Sequence, residues 1–564
     1  MILSFKFKYV SKNRVLENFL RKICEDFGIR FALSRDNNSI VTLYVEESED
    51  RLHEFADYIS ANLPLSIFMK SSSVEVIDSI EDGNVLLSEC SLALPFTKRA
   101  LEKAKNPDDK KFYMNPFTPN EVGLTCKEIK DCSLELYIKG ELFSPENGFK
   151  DIYKRVAELI NENNIVKIKT PNGIFAFGKV SSDNLRSVKD FEIIPTDYSL
   201  INKMVVLKEN ELIAIASLEK PILEARVNMI YASKNILPKS IVHIRMPNTL
   251  LLQFICEELY KLGVEFIFKT SALDYGNEYL LNYNITTPEV QDISIVVLEN
   301  SEIIITKGSG YASKRLVENL KKLNNPAISQ FASVLKERNL FSRKVGGFYL
   351  SKENDDLFMN YDDENWILPL IKFPTFESVS EIFEEIQKSD ENGVKLIRNY
   401  KKTFPEIYER AYYAKIPENL PKNIYSTLGF LSLILGYESD FKRGAEKIIE
   451  NSESFGGQKG PRIDCKLKEN SKLNSDFDTL KFVRSAISFK LAGVDDLTLS
   501  FGFFESLSYF ISDIADSFTE NFNSKKVALC GSMFGSKKFA EITCKNLLAN
   551  HQIYFNQELP CDNI

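Results

Sequence analysis

Apolar and polar positions alternate from Phe5 to Val10, and then the period lengthens. Val15–Phe27 carries apolar residues at helical spacing and stops at Gly28, which suits the left-handed position after a helix. Two short strands, Arg30–Leu33 and Ile40–Val45, flank Arg35-Asp36-Asn37-Asn38, a composition that predicts a hairpin turn. A second amphipathic helix over Arg51–Asn62 and a closing strand over Ser72–Ile77 complete the order strand, helix, strand, strand, helix, strand. That order predicts a ferredoxin-like sandwich. Farther along, the spacing predicts an amphipathic helix over Phe149–Ile160. Near the end, the apolar run Val527–Leu529 meets the small-residue turn Cys530-Gly531-Ser532 and a helix over Phe539–Leu548. Strand, tight turn and helix is an arrangement that can present backbone N–H groups to a phosphate.

A chain of 564 residues is too long for one core and predicts three or four domains. Hydrophobic content of 44% and charged content of 27% are those of a globular protein. The longest apolar runs, such as Ile213–Ala216 and Leu250–Leu252, are far too short to cross a bilayer, so no membrane partner is expected. The amphipathic start predicts no signal peptide. A net charge of −8 argues against nucleic acid as the main partner. Nine scattered cysteines without a tight framework fit a reducing cytoplasm. The three histidines, His53, His243 and His551, lie far apart, which argues against a histidine-rich metal site. His243, on an apolar segment, is expected in the core.

The segment Val527-Ala528-Leu529-Cys530-Gly531-Ser532, with Leu559-Pro560 and Asp562 after it, resembles the last domain of the HypF carbamoyltransferases. These enzymes make the cyanide ligands of NiFe hydrogenases. Their pattern is V-A-L-S-G-G-V-F-Q-N and then L-P-x-N-D-G-G; here the second glycine is Ser532 and the Gln-Asn pair is Gly535-Ser536. The resemblance extends, in collinear order, over nearly the whole chain.

Residues 1–80 resemble the family's acylphosphatase-like domain, without gaps over Tyr9–Ile40. The resemblance places Glu17 where the family's phosphate-binding arginine stands and Arg35 where its water-orienting asparagine stands. A carboxylate repels a dianionic phosphate, so acylphosphatase activity is not expected. Residues 81–145, with Leu94–Gly123, resemble the zinc-finger region. The four cysteine positions map to Thr97, Ala100, Asn120 and Gly123, and none of these supplies a zinc donor. Cys126 and Cys132 are read as buried or half-exposed thiols. Residues 146–320 resemble the Sua5/YrdC domain, which condenses ATP and carbamoyl phosphate into an acyl-adenylate. Lys169 and Gly173 match there, as do Ser217, Lys220-Pro221-Ile222-Leu223, Leu237-Pro238 with His243, and Thr270-Ser271. The resemblance implies that Lys169, Lys220, Thr270 and Ser271 line a nucleotide pocket; solvated surface lysines are the competing reading of the first two.

Residues 321–370 read as a linker region, with Asn324-Asn325-Pro326, Gly346-Gly347 and an acidic stretch, Glu353–Glu364, closed by Trp366. The acidic loop with its tryptophan is either a partner-docking element or a solvated loop over a buried aromatic. Residues 371–564 resemble a truncated Kae1-like carbamoyltransferase domain. The family's metal- and nucleotide-holding D-L-H-P-x-Y aligns with Arg398-Asn399-Tyr400, and its H-H-H-A-H with Tyr412-Tyr413-Ala414-Lys415. The expected fold is α/β (mixed α+β) and multidomain: a ferredoxin-like N-terminal domain, a YrdC-like twisted sheet and an incomplete actin/sugar-kinase-like domain. The expected function is that of a cytoplasmic, non-catalytic accessory protein of NiFe-hydrogenase maturation, whose partners are other maturation proteins or hydrogenase subunits. No catalytic residue, metal or cofactor is expected. Residual ATP binding or adenylyl transfer in the YrdC-like module is one alternative, and an interaction protein unrelated to hydrogenase is another.

Overall fold

A computed structural model describes residues 1–80, 92–106, 113–118, 122, 132–170, 172–186, 188, 190–272, 275–285, 290–364, 366–469 and 473–562. It divides into two compact units, 1–295 with 308–313, and 296–307 with 314–564.

The first unit opens with β1 (Ile2–Tyr9), β2 (Phe31–Arg35), β3 (Ile40–Glu46) and β4 (Met69–Ile77), an antiparallel sheet in the order β2-β3-β1-β4. Helices Val15–Phe27 and Glu49–Asn62 complete the ferredoxin-like sandwich, with Phe5 of β1 packed edge-on against Phe55 at 5.8 Å. Gly28 ends the first helix at φ 72°, its N–H bonded to the Cys24 and Glu25 carbonyls.

The same unit then builds a larger mixed sheet. Its strands are β5 (Ser133–Ile138), β6 (Glu141–Leu142), β7 (Val166–Thr170), β8 (Gly173–Lys179), β9 (Glu192–Pro195) and β10 (Val205–Val206). β11 (Ile222–Val227), β12 (Ile241–Ile244), β13 (Phe266–Ser271), β14 (Tyr279–Asn284) and β15 (Ser294–Val297) follow. From β15 the order runs β15-β11-β12-β9-β13-β8-β7-β14-β5-β6, with β10 beside β11. Helices Phe149–Asn161 and Leu250–Lys261 cover one face, burying Val156, Leu259 and Phe254 against Ile168, Phe177 and Ile267.

In the second unit, after β16 (Ile303–Lys307), come β17 (Val345–Tyr349), β18 (Leu357–Asp362), β19 (Trp366–Lys372), β20 (Lys526–Cys530) and β21 (Gln552–Tyr554). The last five form one sheet in the order β19-β18-β17-β20-β21. β17, β18 and β19 pair antiparallel, whereas β20 is parallel to both β17 and β21. This is the sheet of a single actin-like lobe, and the described residues contain no second one. The helices around it include Asp496–Phe522, which buries Phe503, Phe504, Leu507, Ile511 and Phe518.

The stretch 321–370 is not a linker. It supplies helix Pro326–Glu337, β17, β18 and most of β19. Asn325 and Pro326 are the start of that helix: the Asn325 side chain caps Ile328 N–H and proline takes the first turn. Gly346 and Gly347 lie in β17, where an added Cβ would come within 2.8 Å of the rings of Phe518 and Phe331. These glycines admit close aromatic packing and mark no turn. Trp366 is half-exposed and stacks on Phe341 at 5.7 Å. His243 is also corrected: Val242 and Ile244 point inward from β12, and the alternation leaves His243 exposed, beside Glu224.

Candidate functional site

The Sua5/YrdC-like motifs converge because of strand pairing. Lys169 ends β7, Thr270 and Ser271 end β13, Phe175 begins β8 and Glu192 begins β9, and the ladders bring these ends to one edge of the sheet. Register divides the predicted residues between the two faces. Ser271, Phe175 and Ile168 are mutual partners across the ladders, so they share one face; Lys169 and Thr270 lie on the other. Lys169 is exposed, and Thr270 Oγ1 donates to the Asp190 carbonyl at 2.6 Å. Ser271 is exposed.

Lys220 precedes β11, five strand positions from β7 in the sheet order. Its ammonium donates to the Ala216 carbonyl at 3.0 Å, and burial lowers its pKa.

Sequence reasoning missed the strongest electrostatic feature of this edge. Arg245, 1% exposed, donates to Asp292 Oδ1 at 2.6 Å and to the Lys220 carbonyl at 3.2 Å. Asn248 Nδ2 donates to the same Asp292 oxygen at 3.2 Å, and Lys269 lies 3.4 Å from Glu192 and 3.6 Å from Asp292. Lys269 also sits 4.4 Å over the Phe175 ring, where the family pattern has histidine. Each of these charges flanks an unremarkable apolar run, and only the non-local pairing of β12, β9 and β13 unites them. Burial alone would raise the Asp292 pKa, but Arg245 and Lys269 outweigh it and hold it below the ordinary carboxylate value. A depressed folded-state pKa gives stability that is fully present above about pH 4 and is lost as pH falls through the folded value. Asp292→Asn is accordingly expected to flatten the acid limb of a urea-stability profile below pH 4 relative to the parent. Parallel limbs would contradict the assignment.

At the acylphosphatase-like position the two replaced residues meet. Arg35 Nη1 donates to Glu17 Oε1 at 2.7 Å, and Arg35 Nη2 donates to the carbonyls of Tyr9, at 2.9 Å, and Ser11. Arg14 reaches the same Glu17 oxygen at 2.9 Å, and the Glu17 side chain is fully buried. The loop beneath is braced from within: Ser11 Oγ accepts Asn13 N–H at 3.2 Å and Asn13 Oδ1 accepts Val15 N–H at 3.0 Å. The position that the resemblance gives to a phosphate-binding arginine holds an internal ion pair.

The second unit also holds a buried carboxylate whose partners come from the protein itself. β17 and β20 run parallel side by side, and their C-terminal ends form the crevice where open α/β sheets bind ligands. Asp562, 2% exposed, sits there. Its Oδ1 accepts Tyr349 OH at 2.5 Å, and its Oδ2 accepts Ser351 Oγ at 2.6 Å and Ser532 N–H at 3.0 Å. Burial, and then the Asp562 charge, push the Tyr349 phenol well above its ordinary value. Gly531, at φ 103°, is required here, because a Cβ would lie 2.0 Å from the Leu350 carbonyl oxygen. Both oxygens of the carboxylate that stands at the family's metal position are thus occupied by protein donors, and this donor set does not fit a metal ion. Among the described residues no group of three or more His, Cys, Asp or Glu side chains is arranged to hold one. At the zinc-finger positions, Thr97 caps helix Lys98–Lys105 by accepting Ala100 N–H, and Ala100 is buried. Asn120, Gly123 and Cys126 lie outside the described residues, and Cys132 is half-buried.

No family model matches the chain. Protein HydE of Wolinella succinogenes is 23% identical over 578 residues, covering 100% of both sequences. Among solved structures, full-length HypF in a phosphate- and nucleotide-bound form superposes with a TM-score of 0.62 at 14% identity, over 100% of this chain and 96% of that one. T.kodakarensis HypF superposes with a TM-score of 0.68 at 13% identity, over 99% and 96%. No helix among the described residues is long and apolar enough to cross a membrane. Taken along its length, the chain has the fold of HypF.

Proposed function

We propose that this protein is an accessory factor of NiFe-hydrogenase maturation that docks partners and does not transfer carbamoyl groups. The observation carrying this reading is the ion pair of Glu17 with Arg35, in which the two residues that depart from the resembled pattern are bonded to each other. The saturation of Asp562 by Tyr349, Ser351 and Ser532 supports the same reading in a second module. Likeness to HypF along the whole chain supports the pathway. Partner docking needs the shape of the scaffold and none of its ligands.

Deletion of the gene is expected to lower hydrogenase activity and the cyanide infrared bands of the enzyme. The purified protein is expected to give no carbamoyl-phosphate-dependent pyrophosphate exchange. Unchanged hydrogenase with full cyanide content would overturn the reading, as would robust exchange. A second reading, residual ATP binding, is favoured by the exposed Lys169 sharing a sheet face with Thr270. Calorimetric titration with millimolar ATP, with Lys169→Ala as control, distinguishes the two: heat abolished by the substitution supports nucleotide binding, and no heat removes it.

A further inference from the structure

Residues 391–415 of the second unit invert the charge of the chain around them. They carry Lys395, Arg398, Lys401, Lys402, Arg410 and Lys415 against Glu391, Glu406 and Glu409, within a protein of net charge −8. Helix Glu391–Thr403 holds the first four of these cations, and Phe404 joins it to helix Pro405–Tyr412. Lys395, Arg398 and Lys402 follow the spacing that makes residues neighbours on one helix face, and Lys401 is three residues from Arg398. All four are exposed, as is Lys415, and none of the five forms an ion pair among the described residues. Like charges at this spacing disfavour a helix by a few tenths of a kcal/mol per pair, roughly, unless an anion lies against them.

The cations continue into an aromatic surface. Lys401 Nζ lies 5.0 Å from the centre of the Tyr408 ring, Tyr408 stacks on Tyr412 at 5.8 Å, and Tyr412 meets Tyr413 edge-on at 5.0 Å. Tyr413 is 75% exposed. From behind, Phe383 stacks on Tyr408 at 5.0 Å, and the buried Tyr400 hydroxyl donates to the Ile434 carbonyl. The exposed Tyr413 ring therefore rests, through the half-buried Tyr412 and Tyr408, on a fixed base. These are also the positions that align with the family's two ligand motifs, Arg398–Tyr400 and Tyr412–Lys415, so cations now stand where a cation would be held.

We propose that this cationic, tyrosine-bearing face docks an acidic protein segment carrying aromatic or apolar side chains. Charge complementarity selects the partner's sign, and the exposed tyrosine supplies a contact of the amphipathic kind that anchors interfaces. The four-cation helix is about 20 Å long, which matches a short acidic segment. A nucleic-acid strand would extend its uniform charge past the patch onto a protein that is negative elsewhere. The inference gives the docking reading its partner chemistry and rests on that reading.

The test uses the full-length protein and two labelled probes, a synthetic peptide of Glu-Glu-Tyr repeats and an oligothymidylate, with fluorescence anisotropy at low salt. The peptide is expected to bind and to be released by about 0.5 M salt, where the screening length falls below ~5 Å. Arg398→Glu with Lys402→Glu, and separately Tyr413→Ala, are expected to weaken it at least tenfold, while Lys447→Glu leaves it unchanged. Arg398, Lys402 and Tyr413 are exposed and Lys447 is half-buried, and an unaltered melting curve verifies that each variant folds. Absence of peptide binding, equal affinity for the charge-reversed protein, or tighter binding of the oligothymidylate would overturn the proposal. Returning the charge-reversed gene to the deletion strain separates the two readings. Full rescue of hydrogenase refutes this surface and leaves the docking function standing. Peptide binding through this face alongside an inconsequential deletion refutes the function and leaves the surface standing.

Discussion

Glu17→Ala is expected to destabilise the protein by about 3–5 kcal/mol, the range for removing one partner of a buried ion pair. Glu17 is fully buried and Arg35 is 10% exposed, so water cannot replace the lost carboxylate. The Arg35 guanidinium would keep only the Tyr9 and Ser11 carbonyls, which accept its N–H groups and leave its charge unmatched. Arg14→Ala is the control: Arg14 touches the same oxygen but is 36% exposed, and its loss is expected to cost less than about 1 kcal/mol. Urea unfolding followed by far-ultraviolet dichroism measures both. A Glu17→Ala cost indistinguishable from that of Arg14→Ala would mean that the pair holds nothing together.

Glu337→Ala is expected to release the segment that delivers Asp562. The Glu337 carboxylate accepts Asn556 Nδ2 at 2.9 Å, Gln557 N–H at 2.7 Å, Glu558 N–H at 3.1 Å and Leu559 N–H at 2.9 Å. Asn556, Glu558 and Leu559 are buried, so donors stranded by the substitution find little water. Each costs about 1–3 kcal/mol when left unmatched, and the sum exceeds what a short segment can bear without opening locally. Amide hydrogen exchange over 555–562 should rise by orders of magnitude while the ferredoxin-like sandwich is unaffected. Glu337→Gln should fall between, since its amide keeps one acceptor and turns N–H groups toward other N–H groups. Undisturbed protection in Glu337→Ala would show that Arg338 and Gln330, which also hold this segment through the Phe555 and Pro560 carbonyls, suffice alone.

Local periodicity made much of the architecture legible. The helix expected over Val15–Phe27 is found over those residues, with Gly28 in the left-handed conformation after it. Helix Phe149–Asn161 and the sequence β20, turn, helix Lys537–Leu547 agree within about two residues, the usual uncertainty of helix ends. Two kinds of feature escaped. Gly346-Gly347 looked like a breaker because the rings of Phe518 and Phe331 that require glycine lie far away in the chain or on a separate element. The Arg245–Asp292–Lys269–Glu192 cluster escaped because two of its members come from strands and two from the segments flanking strands, brought together by pairing alone. At the candidate sites, residue identity announced a departure from the resembled pattern, but not which partner the side chain had found. Glu17 and Arg35 were each legible as a departure from the family, whereas their union across 18 positions belongs to tertiary structure.

The parallel pairing of Val345–Tyr349 with Lys526–Cys530 has a consequence for biosynthesis. About 180 residues must leave the ribosome between the two strands, which at roughly 5–20 residues per second takes some 10–40 seconds. Throughout that interval the inner edge of the first hairpin has no neighbour, and Phe348 and Phe358 are without the aromatic rings of Phe518 and Phe510 that later enclose them. A nascent chain in that condition is a client for holdase chaperones, and slow translation would lengthen its exposure to aggregation.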